Sequence, residues 1–254
     1  GMEFAGNSTA TITGGSYGSE FISIANSASL TIETANVALT GSTGIQMNST
    51  GSLLIKDGTF SAPNDLIRFI SSGNVTVLNG TFSAGGSVIN KTSSGNLVVK
   101  SGSFTGGTGL SNSGGGSITI GEEGGIPSTT DPLFKGSSYG LNNTNSNATV
   151  NFYDGIFGGG TPISGSITNI ESGYEIIAET IDGVLYKYLD KLPIVDPRGK
   201  QLMQKIINKT ETLKILFRLL LIVAFCLLCN IVLFSITAFI ITKTDFTYEI
   251  LVPL

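Results

Sequence analysis

The sequence predicts an all-β chain wound into a parallel β-helix, or β-solenoid, of about seven rungs, followed by a C-terminal transmembrane α-helix. Three observations carry this reading: an internal repeat of 22 residues, strand-like alternation of apolar residues inside each copy, and an uncharged apolar run near the C-terminus.

The repeat is clearest in three consecutive segments that begin at Gly51, Gly73 and Gly95. Aligned without a gap, they give columns of matching chemistry: Leu53, Val75 and Leu97; Ile55, Val77 and Val99; Phe60, Phe82 and Phe104; Leu66, Val88 and Leu110. Copies with small slips flank them, at Ala10, Ile12 and Tyr17, at Leu30 and Ile32, at Ile118 and Ile120, and at Val150, Phe152 and Phe157. Degenerate outer copies are the usual form of terminal repeats.

Each copy alternates apolar and polar residues, which puts two apolar side chains on one side of a strand. A corner follows. Gly58, Gly80 and Gly102 recur there because glycine turns the chain at positive φ without steric cost, and Asp57, Asn79 and Ser101 bond locally beside them. One copy cannot bury its own apolar residues, whereas copies stacked at about 4.8 Å per rung share a continuous core. The stacking predicts an internal structural ladder of Phe60, Phe82 and Phe104; Asn90 and Asn112 share a column that allows an amide ladder, with coincidence in an Asn-rich chain as the rival reading.

The motif Gly-x-apolar-x-apolar-x-Asx-Gly-Thr-Phe-Ser stands at 51–61 and 73–83 and, more loosely, at 95–105. It resembles right-handed parallel β-helix repeat proteins of bacterial cell surfaces, the adhesin-like relatives of the pectate-lyase superfold. The resemblance covers roughly residues 7–170. It implies a right-handed coil and a surface role.

The chain divides into a solenoid at 1–170, a β-hairpin cap at 171–189 turning at Asp182-Gly183, an amphipathic juxtamembrane segment at 190–213, a transmembrane helix at 214–243 and a short tail at 244–254. No charge interrupts Leu219–Ile241, long enough to cross a bilayer, and membrane lipid is therefore an expected partner. Lys200, Lys205, Lys209, Lys214 and Arg218 precede this run and Lys243 follows it, so flanking charge places the solenoid in the cytoplasm. Its Thr-, Asn- and Gly-rich, charge-poor composition instead points to the cell surface, and large domains cross membranes regardless of flanking charge. The surface is the expectation adopted.

Composition removes several function classes. A net charge of -4 offers nucleic acid no basic face. Without histidine a Ser-His-Asp site is impossible, and Cys226 and Cys229 inside the apolar run are a poor zinc or redox signal. Asp57, Asp65, Glu122, Glu123, Asp131 and Asp154 are scattered, so neither an enzyme nor a cofactor is expected. The one long break in periodicity, Gly121–Asn147, brings Glu122, Glu123, Asp131 and Tyr139 forward as a ligand-binding loop for a cation or sugar, with a tolerated, partnerless loop as the rival reading. The functional expectation is adhesion, or binding of glycans, matrix or surface proteins. Its alternatives are a purely structural spacer and a degenerate polysaccharide-active enzyme.

Overall fold

The computed structural model describes residues 1–193 and, beyond them, 209, 212–221, 225, 227–228, 231–233 and 235–236. Residues Gly1–Leu192 form one compact unit and Pro193–Leu254 a second.

The first unit is a parallel β-solenoid with three faces. Face one is an eight-stranded sheet of Thr9–Ile12, Ser29–Ile32, Ser52–Ile55, Asn74–Val77, Leu97–Val99, Ser117–Ile120, Thr149–Phe152 and Asn169–Ile170. Face two stacks Ser16–Ser19, Asn36–Leu39, Thr59–Ala62 and Thr81–Ala84, and face three stacks Met2–Phe4, Ile22–Asn26, Thr43–Ser49, Asp65–Phe69 and Ser87–Lys91. From the fifth rung onward the two faces share single strands, Ser103–Asn112, Leu133–Asn143 and Ile156–Ser164, which bend across the corner between them.

The predicted columns point inward. On face one Leu30, Leu53, Val75, Leu97, Ile118 and Val150 are stacked in register and buried. On face two the phenylalanine ladder extends past its three predicted members: Phe60, Phe82, Phe104, Phe134 and Phe157 stack with centroid separations of 5.0, 4.6, 4.6 and 5.1 Å. Phe152 closes the top edge-on against Phe157.

At the corners Gly58, Gly80 and Gly102 have φ of 137°, 136° and 118°. A Cβ on Gly80 would stand 2.9 Å from the Gly58 carbonyl oxygen. Gly80→Ala is therefore expected to cost about 1–3 kcal/mol by denaturant titration, from left-handed strain and the clash together. A neutral result would mean that this corner is not held as described.

Three expectations need correction. The coil makes about eight turns rather than seven, because Asn169–Ile170, beyond the last repeat copy at Val150–Phe157, forms another strand on Asn151–Phe152. Leu110 lies over Ile89, and Asn112 over Lys91, so Leu110 does not continue the Leu66 and Val88 column and Asn90 does not stack on Asn112. The cause is a one-residue slip: Ser103 is in register with Thr81, but Thr108 is already in register with Ser87, since the continuous strand omits a residue that the preceding rung spends on its turn. The amide ladder exists one position away, where buried Asn112 donates from Nδ2 to Asn143 Oδ1 at 2.8 Å. Finally, the break in periodicity is shorter than Gly121–Asn147. Leu133–Asn143 is an ordinary rung strand, and residues 121–132 fill the corner that residues 100–102 fill one turn earlier.

After the last rung, Tyr174–Ile181 and Val184–Lys191 form an antiparallel hairpin. Asp182 and Gly183 turn it with φ of 50° and 77°, a pair of left-handed residues suited to a tight hairpin. The second strand pairs antiparallel with Ile156, Phe157 and Gly158, closing that sheet edge. Further along the same edge strand Pro162 removes a backbone donor, a second protection against pairing with another chain.

In the second unit residues 212–221 are helical, as are the described residues among 225–236. Among the described residues no helix is long and apolar enough to cross a membrane. Much of the predicted span, with Cys226 and Cys229, lies outside the described residues, as do Lys200, Lys205 and the tail at 244–254.

Candidate functional site

The predicted loop residues do not converge. Glu122 and Glu123 are exposed at the end of face one, and Glu122 pairs with Lys100 at 3.1 Å. Tyr139 belongs to the third face, in register with Thr108 and Thr161. Asp131 turns into the corner, where it accepts from the Ser101 hydroxyl at 2.6 Å and the Gly102 N–H at 2.8 Å. It thereby caps a polar corner stack in which Ser101 Oγ lies 3.2 Å from Asn79 Oδ1 and Asn79 donates to Asp57.

The loop is strapped to later rungs. Asp154 accepts from the Ser128 and Gly155 N–H groups, and Glu171 accepts from the Gly124 N–H at 2.8 Å. Burial raises the Asp154 pKa above the usual carboxylate value and the Asp131 charge adds to it, while the two N–H donors oppose both. Burial likewise raises the Tyr153 hydroxyl, helped by Glu123 and Glu171. Glu122, Asp131, Asp154 and Glu171 thus have structural partners. Among the described residues no cluster of His, Cys, Asp and Glu suited to a metal ion occurs.

A different surface has the properties of a binding face. Outward positions on face two form two columns: Ser16, Asn36, Thr59, Thr81 and Ser103, beside Gly18, Ala38, Ser61, Ser83 and Thr105. Every side chain is small and none is charged. Elsewhere polar groups of adjacent rungs satisfy one another: on face one Ser117 donates to Asn96 at 2.9 Å, Asn151 to Thr119 at 3.1 Å and Asn169 to Asn151 at 2.8 Å. On face two, among the described residues, only Ser83 of these ten makes a side-chain hydrogen bond, a long one of 3.4 Å to the Phe60 carbonyl. The hydroxyls of Thr59, Ser61, Thr81, Ser103 and Thr105 are left with unused donors and acceptors.

Both ends of this face are concave. Ser16, Gly18, Asn36, Ala38, Thr59 and Ser61 line a trough of roughly 370 Å³. Near the hairpin, Gly106, Gly136, Gly159 and Gly160 floor a groove of roughly 490 Å³, between Thr105, Lys135 and Ser137 on one side and Val184–Leu185 on the other. Gly106, Gly136 and Gly159 are in register, so the absence of side chains repeats over three rungs. These glycines are required by the bend: a Cβ on Gly136 would fall 1.8 Å from the Tyr139 carbonyl oxygen.

No family model, curated protein or solved structure matches the chain.

Proposed function

We propose that this chain is a membrane-anchored, cell-surface β-solenoid that binds glycan or matrix along its second face. The uncommitted hydroxyls of that face are the observation that carries the reading. A carbohydrate presents many hydroxyls and needs matching donors and acceptors that are not already satisfied, on a surface where small side chains let it approach. Face two supplies these in a repeating array, as a polymer of repeating units requires.

Binding without turnover is the corollary. Asp57, Asp65, Asp131 and Asp154 are each engaged as hydrogen-bond acceptors, which supports a structural role for these four carboxylates over acid–base work. The membrane anchor is the uncharged run Leu219–Ile241, whose described residues are helical. A spacer role draws its support from face one, where rung-to-rung hydrogen bonds leave fewer groups for a partner.

The test is a glycan array probed with the full chain, alongside the double variant Thr59→Val and Thr81→Val. Both positions are exposed, so the fold should tolerate valine. Reproducible hits that weaken about tenfold in the variant are expected, from two lost hydrogen bonds of about 1 kcal/mol each, discounted for exposure. Silence across the array would favour the spacer.

A further inference from the structure

We infer that the glycine-floored groove beside the hairpin binds an anionic sugar unit, bearing a sulfate or a carboxylate, with Lys135 as its charge partner. This rests on the glycan reading above and specifies the ligand at one end of the same face. The outward column Gly18, Ala38, Ser61, Ser83 and Thr105 continues in register into Lys135, the first charged residue along it. Above Lys135 in the register comes Gly158, which Tyr186 of the hairpin covers so closely that a Cβ there would stand 2.3 Å from the ring. The column of free hydroxyls therefore ends on a cation, against a wall.

Within Gly1–Leu192 the side-chain ion pairs are Lys56–Glu33 and Lys100–Glu122, and Lys135 is in neither. It is the only charged residue lining the groove. Around it, the Thr105 and Ser137 hydroxyls can bond a sugar, and the glycine floor with Val184 and Leu185 offers apolar surface to a sugar's C–H face. A volume of roughly 490 Å³ lies within the usual range of small-ligand sites. An ammonium with hydroxyl neighbours and no carboxylate selects for negative charge, because a charge-assisted hydrogen bond is about twice as strong as a neutral one.

The full chain would be titrated with heparin, with alginate and with neutral dextran, next to Lys135→Gln and Leu185→Glu. Leu185 is exposed at 38%, so glutamate there places a negative charge at the groove without burying it. Binding of heparin or alginate above dextran, lost about tenfold in Lys135→Gln and further reduced in Leu185→Glu, supports the inference. The two polyanions tell sulfate from carboxylate. The basic residues Lys200 to Arg218 are unchanged in both variants, so general attraction to polyanions cancels in the comparison. Equal binding of all three probes, or polyanion binding indifferent to both variants, overturns the anionic site and leaves glycan binding on face two intact. Absence of binding to any probe, together with a silent array, removes both.

Discussion

Replacing Phe82 with alanine is expected to destabilise the solenoid by about 3–5 kcal/mol, which lowers the melting midpoint by about 10 °C in a domain of this size. Phe82 is fully buried and lies between two parallel rings, 5.0 Å from Phe60 and 4.6 Å from Phe104, at interplanar angles of 5° and 1°. Alanine would remove the ring's burial and both stacking partners at once. It would also leave a gap that rungs pinned by backbone pairing on either side cannot close. Phe82→Leu keeps much of the volume and loses only the stacking, so its cost should fall below about 2 kcal/mol. Thermal melts of the two variants separate cavity from stacking, and two indistinguishable melts would mean that the ladder contributes nothing specific. Because each rung contacts only its neighbours, the loss is also expected to split the melt, with the rungs on either side of the lesion unfolding less cooperatively.

How much of this was legible in the sequence depends on which side of the coil a residue faces. Inward columns repeat because a stacked core must, so Leu53, Val75 and Leu97 could be read directly. Slips at corners leave no such trace: the residue dropped after Gly106 moved Leu110 and Asn112 by one position, although the apolar pattern looked unbroken. The corner place of Asp131 is legible in the sequence. Asp131-Pro132-Leu133-Phe134 repeats the pattern of Asp57-Gly58-Thr59-Phe60, with proline in the place of glycine, which marks Asp131 as a corner residue rather than a free ligand. The hydroxyls of face two were visible as the Thr-Phe-Ser repeats flanking each phenylalanine. Which hydroxyls remain unbonded depends on side-chain contacts between rungs, and the pattern does not carry that information. The groove at Lys135 was not legible at all, since one wall comes from a hairpin that docks antiparallel on Ile156–Gly158, outside the repeat.

Raising the pH from about 8 towards 10.5 is expected to stabilise the solenoid through one residue, Lys91. Its column on the third face begins apolar, with Phe4, Ile24, Met47 and Phe69, and then changes to Lys91, Asn112 and Asn143. The change follows from the glycine-rich turns at that corner, whose carbonyls need donors from inside. Lys91 Nζ donates to the carbonyls of Ser93 and Gly115, and Asn112 donates to the carbonyl of Gly114. Lys91 is fully buried, and burial pushes its pKa down from 10.5 to about 8. Between those values the unfolded chain holds a proton that the folded chain has released. Stability therefore rises with pH across this window, by about 2–3 kcal/mol if the full difference is realised, and this group adds no slope below it. Other lysines and tyrosines titrate in the same range, so the informative quantity is the difference between the native chain and Lys91→Met. Methionine carries no charge to desolvate but leaves the carbonyls of Ser93 and Gly115 without a donor, a cost that is the same at every pH. The two chains' unfolding free energies should consequently diverge in favour of the native sequence as pH climbs from 8 to 10.5. Parallel curves would show that the ammonium reaches water, and that those carbonyls are satisfied by something other than a buried cation.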